Sequence, residues 1–276
     1  MKYLIIGGTG TLGKALIKRL DTDELRIYSR DEFKQYELRH NKNCKFFIGD
    51  IRDKERLELA MEDVDIVIVA AALKNIEKCE YNPFEAIKTN IVGCQNVIDC
   101  AMKTRPKQVI YISTDKAVNP ENLYGATKMC AERLIESANN YKGNRDTQFK
   151  FVRYGNVWGS RASVLYQWEK QDVIEVRGMD STRFHLTEDK AVDIVMNSIK
   201  MKDVTQYIPF SIKAYKLRDL AVTFCNLTGK TWKEIPMVKG EKTHELLDYG
   251  MSSFNADKLT GEELRLLVKE FLDRHG

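Results

Sequence analysis

Gly7, Gly10 and Gly13 stand between the apolar run Lys2-Tyr3-Leu4-Ile5-Ile6 and the helical pattern Ala15-Leu16-Ile17-Leu20. Strand, glycine turn and helix in that order leave few folds open. Glycine permits a tight turn and a close backbone approach to pyrophosphate, and the helix N-terminus supplies free amides and a positive dipole end. A second strand–helix unit follows at once. The chain is therefore expected to form an α/β, Rossmann-like doubly wound parallel sheet. Gly7, Thr9, Gly10, Thr11, Leu12 and Gly13 are the residues expected to hold a dinucleotide.

The next strands are expected at 25–28, 45–48, 65–70, 109–112 and 149–154. The second strand ends at Ser29-Arg30-Asp31. An acidic residue here accepts the ribose 2′-hydroxyl bond in NAD sites, whereas Ser29 and Arg30 favour a 2′-phosphate. NADP is the expected cofactor, and Asp31 is expected to open the next helix. The alternative for Arg30 is a solvated surface residue. After the third strand, Asp50 is read as a partner for the adenine amino group and Ile51 as a cover for its face, with Asp53 capping the helix that follows. Small residues Ala70, Ala71 and Ala72 after the fourth strand allow close passage of the cofactor. Lys74 then faces either an anionic or hydroxylated substrate or plain solvent.

Pro83 opens a helix expected to run through Met102, with Asn90 in its middle. Asn90 either helps to fix a water network of the active-site lysine or lies on the surface. Beyond residue 160 the alternation weakens: short strands at 174–176 and 183–186, helices over 188–201, 217–227 and 264–272, and a polar loop at 240–245. The expected division is 1–160, an NADP-binding domain, and 161–276, a small α+β substrate-binding part with elements returning to the main domain.

The strand 109–112 ends at Ser113-Thr114-Asp115-Lys116, and Tyr124 and Lys128 follow on one helix face, one turn apart. A hydroxyl, a carboxylate and an amine thus leave one strand end beside a phenol and a second amine. Such a set suits redox chemistry on an alcohol. The Lys128 ammonium is expected to lower the phenol pKa so that Tyr124 can take a hydroxyl proton.

Composition removes several classes. A net charge of +4 with dispersed basic residues gives no footprint for nucleic acid. No apolar stretch approaches the roughly 20 residues of a membrane helix, and no signal peptide is expected before the first strand. The six cysteines include no C-x-x-C pair and are read as reduced thiols of a cytoplasmic protein. The four histidines lack metal-ligand spacing, so no metal is expected.

Glycine spacing, strand order and the Tyr-Lys pair together resemble an extended short-chain dehydrogenase/reductase. Ser113-Thr114-Asp115-Lys116-Ala117-Val118-Asn119-Pro120 with Leu123-Tyr124-Gly125-Ala126-Thr127-Lys128 resembles the UDP-N-acetylglucosamine 4,6-dehydratases of polysaccharide and flagellin-glycan biosynthesis. So do Ala70-Ala71-Ala72-Leu73-Lys74, Glu80-Tyr81-Asn82-Pro83, Lys88-Thr89-Asn90-Ile91, Arg153-Tyr154-Gly155-Asn156-Val157, Gly159-Ser160-Arg161 and Gly240-Glu241-Lys242. The resemblance implies that NADP is recycled within each turnover while Tyr124 takes the C4 hydroxyl proton. It further implies Lys116 as the base at C5, Asp115 as the acid at the departing C6 hydroxyl, Thr114 on the C4 oxygen, and Lys128 on the nicotinamide ribose. Substrate contacts are implied at Lys74, Asn90, Asn156, Arg161, Lys239 and Glu241. Dehydratases acting on dTDP-glucose carry Glu at the position of Lys116. Members with Tyr rather than Met at position 124 invert C5, implying an L-arabino 4-hexulose product.

The chain departs from that pattern at Asn75, where His is usual, and at Val238-Lys239, where Arg-Pro is usual. Ala162 replaces a Gly and Trp158 a small apolar residue. Two rival readings share the fold: an NADP-dependent nucleotide-sugar epimerase or reductase, which has no need of the Asp115-Lys116 pair, and a non-catalytic NADP-binding regulator, which ordinarily loses the Tyr or Lys kept here. The helices around Asn90 and over 122–139 commonly pair in this superfamily, so a homo-oligomer is expected.

Overall fold

Short runs of β-branched and aromatic residues become strands, and amphipathic segments become the helices between them. The computed structural model describes residues 1–160 and 163–275. In chain order the elements begin β1 (Lys2–Ile6), α1 (Thr11–Arg19), β2 (Glu24–Ser29), α2 (Glu32–Glu37), β3 (Cys44–Ile48), α3 (Lys54–Met61) and β4 (Ile66–Val69). There follow α4 (Ile76–Tyr81), α5 (Pro83–Ile87), a π-helical turn (Lys88–Val92), α6 (Gly93–Thr104), β5 (Gln108–Ile112), a 3-10 turn (Asp115–Ala117), α7 (Leu123–Tyr141) and β6 (Gln148–Val152). Next come α8 (Val164–Glu169), β7 (Val173–Arg177), β8 (Thr182–Phe184), α9 (Glu188–Lys200) and β9 (Gln206–Tyr207). The chain closes with β10 (Ala214–Lys216), α10 (Leu217–Thr228), β11 (Thr231–Ile235), β12 (Leu246–Asp248), β13 (Met251–Ser252) and α11 (Gly261–His275).

The chain forms two compact units. The first is Met1–Arg153 with Glu188–Ile208. Its seven strands lie in the order β3-β2-β1-β4-β5-β6-β9, every pair parallel. This is the doubly wound, Rossmann-like sheet, with its order reversing between β1 and β4, where such sheets bind ligands at their carboxyl ends. Because helices cover both faces, the strands are apolar throughout rather than alternating; all four residues of β4 are buried. On one face Leu57, Val97, Ile98, Ala131 and Ile135 pack against Leu4, Val67, Val109 and Tyr111. Each fully buried aliphatic side chain contributes roughly 1.5–3 kcal/mol. From within the sheet, the buried Lys150 on β6 donates to Ser198 O at 3.2 Å and to Met201 O, closing the C-terminal end of α9. An ammonium there satisfies carbonyls that the helix itself leaves unpaired.

The second unit is Tyr154–Thr187 with the chain from Pro209 onward. It has a parallel pair (β11 and β7), an antiparallel pair (β10 and β8) and a β12–β13 hairpin. Trp168, Ile174, Phe224, Leu264, Val268 and Phe271 share its core. The Lys230 ammonium donates to the Trp168, Glu169 and Gln171 carbonyls at 3.1, 2.6 and 2.6 Å, closing α8.

Two details differ from the sequence expectation. The helix from Pro83 is interrupted by the π-helical turn, which buries Asn90 at 1% exposure. The loop at 240–245 is polar but not solvated throughout, because Lys242 and Glu245 are buried. No described helix is long and apolar enough to cross a membrane.

Candidate functional site

At the end of β1, Gly7 adopts φ +84°, and a Cβ there would lie 2.7 Å from the Ala71 nitrogen. Only glycine fits, so the first loop and the Ala70-Ala71-Ala72 segment run against each other. Gly10 caps α1 without any side-chain hydrogen bond. The first-turn amides of Thr11, Leu12 and Gly13 therefore face the loop with no intrahelical partner. Thr9 is buried beside them. This cradle fits a dinucleotide pyrophosphate, which supplies the acceptors those amides lack.

The end of β2 places Ser29 inward, its hydroxyl accepting from Gln35 Nε2 at 3.0 Å. Asp31 caps α2 by accepting the Lys34 N–H at 3.1 Å, as expected of a helix-opening Asp. Arg30 stays exposed, its guanidinium 3.6 Å from Asp50. Asp50 also accepts Arg52 Nε at 3.0 Å and Nη2 at 2.7 Å. Ile51 is buried against Gly93, and Asp53 caps α3 through the Arg56 N–H.

At the end of β5, Thr114 caps the 3-10 turn of Asp115, Lys116 and Ala117, and its hydroxyl donates to Asp115 Oδ1 at 2.9 Å. Lys116 Nζ donates to the same oxygen at 3.1 Å. Asp115 is 1% exposed and Lys116 half-buried. Asn122 caps α7 through the Gly125 N–H at 2.8 Å. A Cβ on Gly125 would sit 2.2 Å from the Lys116 carbonyl. Glycine at that position lets the first turn of α7 rest on the Asp115-Lys116 turn, bringing Tyr124 to the same place.

Burial pushes the Tyr124 phenol up to about 12, against the Lys116 ammonium and a hydrogen bond with Thr114, which both pull it down. The sequence expectation assigned that pull to Lys128. Burial lowers Lys128 itself to about 7, with Cys94 and Glu132 opposing, and the groups that move the phenol are Lys116, Thr114, Asp115 and Cys79. Lys116 is the cation that Tyr124 feels. Lys74 is exposed; desolvation first, and the Lys116 ammonium second, lower its pKa.

Asn90 holds this arrangement together. Its Oδ1 accepts the Leu73 N–H, and its Nδ2 donates to Leu73 O and Thr127 Oγ1, all at 2.9 Å. Thr127 donates in turn to Tyr124 O at 2.8 Å. Sequence reasoning missed a second buried group. Ser113 Oγ donates to Glu132 at 2.5 Å, and Arg153 grips both Glu132 oxygens at 3.0 and 2.6 Å. It ties the ends of β5 and β6 to α7. The available signal was the i, i+4, i+8 alignment of Tyr124, Lys128 and Glu132.

The other candidates belong to the second unit. Asn156 is exposed after β6. Lys239 is exposed and Glu241 half-buried in the turn after β11, where the Glu241 N–H donates to Val238 O at 3.1 Å. Arg161 lies outside the described residues. Among the described residues no group of His, Cys, Asp and Glu has the arrangement of a metal site.

A family model described as polysaccharide biosynthesis protein matches residues 3–261. The chain is 44% identical over 258 residues to an inverting UDP-N-acetylglucosamine 4,6-dehydratase of Campylobacter jejuni subsp. jejuni, covering 88% of this chain and 76% of that one. It is also 38% identical over 275 residues to a UDP-glucose 4-epimerase of Rickettsia felis, covering 94% and 80%. Among solved structures, Pen from Bacillus thuringiensis superposes with a TM-score of 0.91 at 35% identity, over 98% of this chain and 97% of that one.

Proposed function

The chain belongs to the polysaccharide biosynthesis protein family, and on that premise we propose that it is an NADP-dependent, C5-inverting 4,6-dehydratase of UDP-N-acetylglucosamine or a related UDP-hexosamine. One observation carries the reading: a buried carboxylate and an ammonium, 3.1 Å apart, share the strand end on which Tyr124 rests. An epimerase or simple reductase needs the phenol and Lys128 but no acid–base pair beside them. Dehydration needs both an acid and a base.

Gly7, Thr9, Gly10, Thr11, Leu12, Gly13, Arg30 and Lys128 would hold NADP, whose nicotinamide would supply the hydride acceptor for C4 and the hydride donor for C6. Tyr124 receives the C4 hydroxyl proton, and Thr114 holds that oxygen. The ketone so formed acidifies the C5 hydrogen, which Lys116 removes. Asp115 protonates the departing C6 hydroxyl. A proton crossing the Lys116–Asp115 contact turns the ion pair into a neutral amine and a carboxylic acid, the two forms that these steps require. Inversion follows if C5 is reprotonated from the opposite face. The cofactor assignment rests on Arg30 and on the diversion of Asp31 to a helix cap. Substrate contacts at Lys74, Asn156, Arg161, Lys239 and Glu241, with Asn90 in a supporting place, complete the proposal. A cytoplasmic location, a homo-oligomer and a role in surface or flagellin glycan synthesis belong to it too.

Incubation with UDP-N-acetylglucosamine in heavy water tests it. The expected product has lost one water, carries deuterium at C5 and shows coupling constants of the L-arabino 4-hexulose, and denatured protein releases NADP. An unchanged mass with an inverted C4 would identify an epimerase, and no turnover a regulator. Retained D-xylo configuration, or normal C5 exchange in Lys116→Ala, would defeat the inverting assignment.

A further inference from the structure

The Lys128 ammonium has two protein partners within β5. It donates to Ile112 O at 2.5 Å, and it stands 3.8 Å from the centroid of the Tyr111 ring. The ring is 1% exposed, and its hydroxyl reaches the Asn90 carbonyl in the π-helical turn at 3.4 Å. Asn90 in turn fixes Leu73 and Thr127 through its side chain. A cation over a desolvated aromatic face is held by the ring quadrupole, an attraction that strengthens as water is removed. An aliphatic side chain of the same strand would fill the space without offering either contact.

We propose that Tyr111 is a positioning residue for Lys128, its ring holding the ammonium over β5 and its hydroxyl joining that platform to the Asn90 turn. Burial penalises charge on Lys128 and brings it to about 7, so the ring decides whether the ammonium survives near neutral pH. Other groups facing Lys128 are Glu132 on α7 and Cys94 on α6, with Glu132 itself engaged by Arg153. Of these only Glu132 bears a charge to share, and Arg153 competes for it.

The inference rests on the reading of Lys128 as the residue that holds the cofactor ribose, but its test does not need turnover. Lysine labelled with 13C at Cε is titrated by NMR in the cofactor-free protein, the Lys128 resonance being the one absent from Lys128→Arg. Tyr111→Leu, with Tyr111→Met in reserve should the Leu variant not fold, is expected to lower the Lys128 pKa by about one unit. Tyr111→Phe, which keeps the ring, should stay near the wild-type value. NADP affinity in the Leu variant should then decline with rising pH about one unit earlier than in the wild type, while KM for the nucleotide sugar holds. Identical Lys128 titrations in all variants would overturn the role of the ring. A shift in Phe equal to that in Leu would transfer the effect to the hydroxyl and overturn it equally. A titration as expected without loss of water from the UDP-sugar would count against the proposed activity and leave this inference standing.

Discussion

At Tyr124, burial moves the phenol up to about 12, away from what a proton acceptor near neutral pH requires. The pull of Lys116 and Thr114 works against that burial, so the acceptor depends on the same strand end that carries the acid and base. Removing the phenol oxygen while keeping the ring isolates its role. Tyr124→Phe should retain cofactor binding and lose at least about a hundredfold in turnover, the lower range for a positioned acid or base. Turnover within about tenfold of wild type, under roughly 1.4 kcal/mol of barrier, would show that the phenol is not the acceptor. Tyr124 and Lys128 were legible because helical spacing alone puts them on one face. The identity of the cation acting on the phenol was not, since it depends on how closely α7 meets the 3-10 turn, and that closeness rests on Gly125.

Among elements, the π-helical turn between α5 and α6 shows where the sequence falls silent. Pro83 marks the start correctly, as Pro favours the first helical position, and the apolar period runs on without a break. One widened turn leaves that period almost unchanged, so nothing at Lys88–Val92 announces it. The partner of Asn90, the Leu73 backbone, also lies on another element. By contrast the strand order, the glycine turn and the Asp31 and Asp53 caps are local chemistry and could be read directly. Ser113, Glu132 and Arg153 became a group only once three elements met, and Lys242 and Glu245 are polar residues whose burial no local pattern foretells. Asn90→Ala should remove three hydrogen bonds, taking from the Leu73 N–H its partner and leaving Leu73 O only the Cys79 thiol. An unfolding free energy lower by roughly 2–4 kcal/mol is expected by denaturant titration, and a loss under about 0.5 kcal/mol would mean that the clamp does not bear on stability.

On the scale of the whole molecule, the first unit gathers groups that resist ionisation. Burial raises the Cys79 and Cys100 thiols to about 11 and Cys94 to about 12, and raises the Tyr28 and Tyr111 phenols as well. In the unfolded chain these thiols ionise near 9. Between about 9 and 11 the unfolded state therefore holds fewer protons than the folded one, and stability falls as pH rises. Each buried thiol contributes a slope of roughly 1.4 kcal/mol per pH unit once ionised in the unfolded chain. Lys128, Lys74 and Lys150, each lowered by burial, act in the opposite direction, but the thiols, with Cys44 at about 11 as a fourth, and the buried phenols outnumber them. Denaturant midpoints under reducing conditions should decline from pH 8.5 to 10.5, less steeply in Cys94→Ala, and a flat profile would refute the account. The first unit is also discontinuous: α9 and β9 close its sheet only after the whole of Tyr154–Thr187 has intervened. During translation, β6 thus leaves the ribosome with an open edge, and Lys150 emerges before the Ser198 and Met201 carbonyls that receive it. At the pace of synthesis, several seconds pass before residue 208 appears. For that interval the nascent chain carries an unsatisfied strand and a buried amine without its acceptors, which makes this stretch of its synthesis the point at which a chaperone has most to protect.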